Sequence, residues 1–174
     1  MKYYRYLDLD YQSVVKKVYS YLEEYFDRDS FFVPLPTEDI LSKFPEIQKS
    51  LDPLNLHVSE CAIIVYNNSW HNFIHIDDPT DSSRINFPVL NCEKSKTNFY
   101  KLKDGKTTRT DAEGELSNVL YALPEDCDLV DSFCLNKAAV LRTNVLHNVV
   151  CDPEIKYRIS LTLKCKENID YLLE

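Results

Sequence analysis

The stretch F-I-H-I-D-D-P, residues 73–79, places a histidine and an aspartate two residues apart at the end of a short apolar run. Alternate side chains of a β-strand point to the same face, so His75 and Asp77 share one side of the strand that this run predicts, about 7 Å apart. Two histidines and one carboxylate form the triad that holds Fe(II) and leaves three coordination positions open. The stretch therefore predicts two metal ligands, and a third has to come from elsewhere.

Three further histidines are available as the third ligand. His147 opens a predicted late strand and precedes Arg158 by eleven residues. Arg158 and Ser160 share one face of the next predicted strand, where a guanidinium beside a hydroxyl forms a clamp for a carboxylate. His57 has no second ligand nearby and is interpreted as structural, and His71 is interpreted as a solvated loop residue. His147 is thus the favoured third ligand.

Composition bounds the class of protein. The 174 residues fit one domain, which we divide into a partly helical segment 1–56, a β-rich core 57–165 and a tail 166–174.

No apolar run approaches the ~20 residues of a membrane helix. The N-terminus has no apolar signal core, which predicts a cytosolic protein with six reduced cysteines. The net charge of −8 argues against nucleic acid and anionic membranes as partners. Two glycines are too few for a P-loop or a dinucleotide-binding fold.

Hydrophobic spacing predicts helices first and strands afterwards. A 3.6-residue period starts after Asp10 and runs through Val14, Val15, Val18, Leu22, Tyr25 and Phe26. A second helical stretch, capped by Thr37, continues to Leu51. After residue 56, strands are predicted at 58–66, 72–76, 84–90, 97–103, 138–143, 147–151 and 157–164. Asp104-Gly105 predicts a hairpin from 97–103 into 106–110. Short strands without intervening helices favour an antiparallel sandwich or barrel.

The ordered set of His75, Asp77, His147, Arg158 and Ser160 resembles the non-haem Fe(II)/2-oxoglutarate-dependent oxygenase superfamily, whose fold is a double-stranded β-helix, or cupin-like jelly roll. The resemblance spans about residues 58–164. It implies Fe(II) held by His75, Asp77 and His147, and 2-oxoglutarate as co-substrate with its far carboxylate on Arg158 and Ser160. It also implies dioxygen as oxidant and, as the default reaction, hydroxylation of an unactivated C–H bond in an unidentified small molecule or peptide.

R-I-N-F-P-V-L-N (84–91) and N-F-Y (98–100) are similar to small phage and marine bacterial members of that superfamily and to its aspartyl/asparaginyl β-hydroxylase branch. That branch has histidine where this chain has Asn86, and it lacks the acidic ligand that Asp77 supplies here. The resemblance adds Arg84, Asn86 and Tyr100 as candidate contacts of the co-substrate. For Arg84, a surface salt bridge and a solvated charge are equally compatible with the sequence.

Two other functions are compatible with parts of the pattern. A cupin-like jelly roll could bind a metal or ligand without oxygenase activity, although cupins more often use several histidines, a glutamate and glycine-rich motifs. Two histidines and an aspartate could also hold zinc in a hydrolase, where Arg158 and Ser160 would have no purpose. The segment before residue 58 and the loop 110–136 are expected to shape the entrance of the site, and neither indicates a substrate.

Overall fold

The computed structural model of the chain describes residues 1–22, 32–67, 73–77, 83–110 and 119–174. These residues form three α-helices and twelve β-strands. In chain order the elements are β1 (Tyr4–Tyr6), α1 (Gln12–Leu22), β2 (Phe32–Leu35), α2 (Thr37–Lys43), α3 (Glu46–Leu51), β3 (Val58–Asn67), β4 (Ile74–Ile76), β5 (Ser83–Leu90), β6 (Ser95–Leu102), β7 (Arg109–Thr110), β8 (Leu120–Ala122), β9 (Cys127–Phe133), β10 (Ala139–Arg142), β11 (His147–Cys151) and β12 (Tyr157–Cys165).

The strands build two six-stranded antiparallel sheets. The major sheet has the order β1-β10-β5-β12-β3-β2, and the minor sheet has the order β7-β8-β4-β11-β6-β9. Four of the pairings are nested along the chain: β6 pairs with β9, β5 with β10, β4 with β11, and β3 with β12. The chain thus runs as one long hairpin rolled up so that successive pairs fall in alternate sheets. This is a double-stranded β-helix, and it confirms the fold predicted from the sequence.

The helices cover the outer face of the major sheet. The apolar stripe of α1 (Val14, Val18) and the buried side of α3 (Ile47, Leu51) join one core with Leu161 and other outward-facing strand residues. Strand β12 shows how the two faces separate, since alternate side chains point to opposite sides. Its apolar residues Ile159, Leu161 and Leu163 belong to that core. Its polar residues Arg158, Ser160 and Thr162 line a cavity between the sheets.

The prediction of a hairpin at Asp104-Gly105 is wrong about which strands pair. These residues do form a turn, with Gly105 at φ +76° and the Lys106 amide donating to the carbonyl of Lys103. Strand β7 nevertheless pairs with β8 and not with β6. The reason is that β6 already pairs with β11 on one side and with β9 on the other, so neither of its edges is left for a hairpin partner.

Several other details depart from the sequence-based predictions. Strand β9 falls within the segment 110–136 that was assigned to a loop. Thr37 is the first residue of α2 and makes no helix cap; its hydroxyl accepts from the Cys61 amide and so ties α2 to β3. The C-terminal segment 166–174 contributes Ile169, Leu172 and Leu173 to the core.

The helical pattern beyond Leu22, at Tyr25 and Phe26, falls outside the described residues. In the part of the chain that the structure describes, no helix has both the length and the apolar character needed to cross a membrane.

Candidate metal centre

The pairing of β4 with β11 brings two predicted ligands side by side. His75 in β4 and His147, the first residue of β11, are direct register partners. Their imidazole centroids lie 4.6 Å apart, and both side chains are buried. Asp77 follows the last residue of β4, and its amide donates to the carbonyl of Thr143, which fixes this residue against the segment between β10 and β11.

The three side chains converge on one point. Oδ1 of Asp77 lies 3.1 Å from Nε2 of His75 and 3.6 Å from Nε2 of His147. One ligand atom from each residue lies within 4.8 Å of the other two. Ligands at ~2.1 Å from a metal and at right angles to one another are separated by ~3 Å, so only small shifts would be needed to close around a first-row ion. The predicted triad is therefore assembled.

Backbone carbonyls set the tautomers of the two imidazoles. Nδ1 of His75 lies 3.2 Å from the carbonyl oxygen of Phe73, and Nδ1 of His147 lies 2.9 Å from that of Val145. Because a carbonyl oxygen can only accept, each Nδ1 carries a proton, which leaves Nε2 as the nitrogen that would bind a metal ion once it is deprotonated. That is the arrangement that orients a metal-binding histidine.

The charges around Asp77 favour its ionised form. Burial by itself would raise the pKa of this carboxyl, but the charge of His147, the hydrogen bond and charge of His75 and the charge of Arg84 together lower the pKa to about 2. Burial lowers the pKa of His147, with Asp77 acting in the opposite direction. A carboxylate beside a neutral imidazole is the protonation state that metal binding requires.

The triad faces a cavity of about 350 Å³ between the two sheets. Its walls combine apolar side chains with a smaller number of polar ones, as is usual for a small-molecule site. The apolar part includes Phe32, Ile64, Phe73, Phe99 and Leu141. The polar part includes Tyr66, Arg84, Asn86, Thr97, Arg142, Arg158, Ser160 and Thr162.

Arg158 is a buried cation that has no carboxylate partner among the described residues. It is only 3% exposed. Its Nε donates to the Ser95 hydroxyl at 3.2 Å and its Nη1 to the Ser160 hydroxyl at 3.3 Å, which accounts for two of its five N–H donors. Within the residues that the structure describes, no Asp or Glu oxygen lies within ion-pair distance of it. A buried charge left in this state costs several kcal/mol unless a ligand neutralises it.

Arg158 has two further neighbours, Ser95 and Tyr66. Ser95 lies far from Arg158 along the chain, and no motif marks it. The ring of Tyr66, which the β3–β12 register places opposite Arg158, lies 5.4 Å from the guanidinium carbon. Burial raises the pKa of Tyr66 despite the opposing charge of Arg158, so its phenol stays protonated. The sequence alone would assign any single tyrosine of this chain to core packing.

Of the other three residues predicted to contact the co-substrate, two line the cavity and one does not. Arg84 and Asn86 line the cavity from β5, and the side chain of Asn86 is buried. Tyr100 does not line it: its hydroxyl donates to Oδ1 of Asn148, and its ring packs with a separate cluster around Ile74 and Leu146. The alternation of β6 explains this, because Phe99 takes the inward position and Tyr100 the outward one. Tyr100 is therefore left out of the site.

Of the other two histidines, the structure describes His57. His57 pairs with Glu167 at 2.7 Å on the surface, in agreement with a structural role. His71 lies outside the described residues, and so does the Asp78-Pro79 step after Asp77.

The sequence matches no family model and no curated protein, whereas solved structures match its fold. The iron-bound crystal structure of HygX from Streptomyces hygroscopicus is 11% identical with a TM-score of 0.51, over 93% of this chain and 81% of HygX. HygX with nickel and 2-oxoglutarate bound gives the same values. The epimerase SnoN, in complex with Fe3+, alpha ketoglutarate and nogalamycin RO, is 13% identical with a TM-score of 0.52, over 93% of this chain and 78% of SnoN. At these identities the likeness establishes the shared fold.

Proposed function

We propose that this protein is an Fe(II)- and 2-oxoglutarate-dependent oxygenase that hydroxylates an unactivated C–H bond. One observation carries the proposal: a buried arginine without a carboxylate partner among the described residues lines the same cavity as a two-histidine-one-aspartate triad. A structural metal site does not require such a cation. A site that binds a dicarboxylic acid does, because the cation neutralises the carboxylate that lies away from the metal.

The donor set suits Fe(II). The Nε2 atoms of His75 and His147 and one carboxylate oxygen of Asp77 would hold the ion and leave positions for a chelating co-substrate and dioxygen. Bound Fe(II) would supply the oxidation, in which one atom of dioxygen enters the C–H bond and the other enters succinate, while 2-oxoglutarate loses its first carboxyl group as carbon dioxide.

The protein's own residues would bind and orient the co-substrate. Arg158 and Ser160 would hold the far carboxylate of 2-oxoglutarate, with the charge-assisted hydrogen bonds that a guanidinium forms with planar oxyanions. Ser95 keeps the guanidinium in place from the minor sheet. Tyr66 lines the same cavity opposite Arg158, and its protonated phenol would offer a further hydrogen bond to this carboxylate. The apolar walls would exclude water from the reacting centre.

The complexes described above add support at the level of the fold. HygX binds nickel and 2-oxoglutarate, and SnoN binds Fe3+ and alpha ketoglutarate, in the architecture that this chain shares. Neither a cupin-like binding protein nor a zinc hydrolase would account for Arg158.

The test is anaerobic addition of Fe(II) and then 2-oxoglutarate to the purified protein. We expect a visible absorption band when the co-substrate chelates the metal, and succinate formation after oxygen is admitted. Iron binding without a spectral response to 2-oxoglutarate would favour a metal-binding jelly roll, and zinc-dependent hydrolysis without oxygen consumption would favour the hydrolase.

A further inference from the structure

The pairing of β5 with β10 ends next to the metal triad. Ser83, the first residue of β5, and Arg142, the last residue of β10, form the final register pair that the structure describes between these strands. The next residue after Arg142 is Thr143, whose carbonyl oxygen accepts from the amide of Asp77 at 3.2 Å. The hydrogen bond that fixes Asp77 therefore lies one residue beyond the end of a strand pairing.

The end of a strand pairing is held less firmly than its middle. An interior pair has neighbouring pairs on both sides, whereas a final pair has only one, so the ends of elements open more readily. The chain at this end also contains unsatisfied polar atoms, because Nε of Arg142 and Oδ1 of Asn144 are buried without a hydrogen-bond partner among the described residues. Such atoms are unfavourable, so contacts from other parts of the molecule are needed to keep this arrangement.

Asp170 of the C-terminal segment makes such a contact with both strands. Its Oδ1 accepts from the Ser83 hydroxyl at 2.6 Å, and its Oδ2 lies 3.8 Å from Nη1 of Arg142. The first contact is a short charge-assisted hydrogen bond, which is the stronger kind, whereas a partly exposed ion pair contributes little by itself. Because one carboxylate contacts both members of the final pair, Asp170 links β5 to β10 at the end next to Asp77.

The segment that carries Asp170 is itself fixed in the core. Ile169, the residue before it, is 3% exposed, and Leu172 is also buried. The amide of Asp170 donates to Oδ1 of Asn168, and Nη1 of Arg5 in β1 donates to the carbonyl of Leu172. The carboxylate of Asp170 is therefore held in a defined position, from which it can constrain the two strands.

We infer that Asp170 is a positioning residue for the metal ligand Asp77. Its carboxylate holds the final pair of β5 and β10 together, and the carbonyl of Thr143 beside that pair holds the amide of Asp77. Asp77 depends on this support more than the other two ligands do, because it follows the last residue of β4, whereas His75 and His147 lie within paired strands. The inference rests on the proposed function through the metal triad, and it concerns the position of Asp77 rather than the reaction.

Hydrogen exchange of single amides in the metal-free protein tests the structural link. Asp170→Ala should speed exchange of the Asp77 amide about tenfold, as for the loss of one charge-assisted hydrogen bond. The amide of Tyr100 donates to the carbonyl of Leu146, at the other end of the connection between β10 and β11, and its exchange should change less than about twofold. NMR spectra of the 15N-labelled protein resolve the two amides. This measurement uses neither metal nor co-substrate, so its result does not depend on the proposed function.

Metal binding tests the link to the triad. Competition between the protein and a chromophoric chelator for Co(II) measures the affinity. Asp170→Ala should lower it about tenfold, the lower end of the ~10–100-fold that outer partners of metal ligands typically contribute. The visible absorption of bound Co(II) should also change, because it reports the arrangement of the ligands. Asp170→Asn keeps an acceptor for the Ser83 hydroxyl and loses the charge, so it should retain part of the affinity.

Glu167→Ala is the matched control. Glu167 lies on the same C-terminal segment and also joins it to the chain before a strand, since Oε2 accepts from the amide of His57 at 2.9 Å and Oε1 lies 2.7 Å from Nδ1 of His57. These contacts are made just before β3 and not at the pair next to Asp77. Glu167→Ala should therefore lower the urea midpoint of unfolding as Asp170→Ala does, but change Asp77 exchange and Co(II) affinity less than about twofold.

The outcomes separate the inference from the proposed function. Unchanged Asp77 exchange in Asp170→Ala, a change in Co(II) affinity below about threefold, or equal effects in Glu167→Ala would overturn the inference. If Asp170→Ala does not fold, Asp170→Asn and Ser83→Ala provide the same comparison, and an effect in neither would overturn it as well. Failure of the unmodified protein to bind Co(II), despite the expected exchange result, would instead overturn the proposed function.

Discussion

At the scale of single residues, His147 and His57 show how surroundings decide what an imidazole can do. His147 is buried, donates from Nδ1 to a backbone carbonyl and directs Nε2 towards Asp77. His57 is exposed and its ring pairs with Glu167. The same side chain is therefore placed where it could bind a metal in one position, and it makes a surface contact in the other.

The first prediction follows from this contrast. His147→Ala should lower Fe(II) affinity by more than the ~10–100-fold that loss of an outer partner typically costs, because it deletes one of three protein ligands. His57→Ala is the control and should leave affinity unchanged. Competition with a chromophoric chelator under anaerobic conditions measures both. Equal iron affinity in the two variants would remove His147 from the metal site.

Arg158 gives a second prediction at this scale. Arg158→Ala should leave Fe(II) affinity nearly unchanged and weaken 2-oxoglutarate binding by ~2–4 kcal/mol, since a charge-assisted bidentate contact is lost. Arg158→Lys should recover part of this, because the charge remains and the fork does not. Calorimetric titration of iron-loaded variants measures the change. An unaltered affinity in Arg158→Ala would place the carboxylate elsewhere.

At the scale of elements, β12 carries core on one face and the proposed site on the other. Thr162 belongs to the inner face, and its hydroxyl is buried without a hydrogen-bond partner in the described part of the chain. The hydroxyl of Ser160, two residues earlier, accepts from Arg158. The two hydroxyls should therefore contribute oppositely to the free energy of unfolding.

Thr162→Val is expected to leave the free energy of unfolding unchanged or to raise it by up to ~1 kcal/mol, because it replaces an unsatisfied hydroxyl with a methyl group of similar shape. Ser160→Ala should lower it by ~1–3 kcal/mol, since a buried guanidinium donor then loses its acceptor. Urea unfolding with an unchanged m-value provides the comparison. A loss of more than 1 kcal/mol in Thr162→Val would show that its hydroxyl is satisfied.

The strands that the sequence predicted differ in character from those it did not. Strands β3, β5, β11 and β12 each have a strand on both sides and are buried. Their sequences are therefore rich in apolar and β-branched residues, which makes them predictable from composition. Strand β9 is an edge strand with Asp128 and Asp131 in its middle and Leu129 exposed, so it shows no apolar run. It is a strand because it pairs with β6, and this pairing depends on residues that are distant in the sequence.

The residues of the candidate site also differ in how far the sequence predicts them. Two pairs lie two residues apart on one strand, His75 with Asp77 and Arg158 with Ser160. His147 lies between these pairs along the chain, in the order that the resemblance implies. Tyr66 reaches Arg158 through the sheet register, whereas Ser95 reaches it from the opposite sheet. The outward direction of Tyr100 depends on which face of β6 turns inward. None of these relations is visible in the spacing of residues along the chain.

At the scale of the whole molecule, all six cysteines are free and four of them, Cys61, Cys92, Cys127 and Cys165, are buried. Burial raises the pKa of Cys61 to about 11 and that of Cys165 to about 12, so their reactive thiolate forms are scarce at neutral pH. Thiol titration should therefore find at most two rapidly reacting groups in the native protein and six after denaturation without reductant. A denatured count of four or fewer, without oxidative damage, would contradict the reducing compartment that the sequence predicts.

The nested order of the strand pairs also determines when the protein can acquire its chemistry. The innermost pair, β6 with β9, closes the shortest of the four nested connections, whereas β3 and β12 are separated by about half of the chain. Such distant contacts make a high contact order, and folding is expected on the millisecond-to-second scale of β-sandwiches. During synthesis, His75 and Asp77 leave the ribosome long before His147, and Arg158 follows last. An unfinished chain would therefore expose two ligands without the third, and a metal-binding site could form only when the outer turns of the roll close.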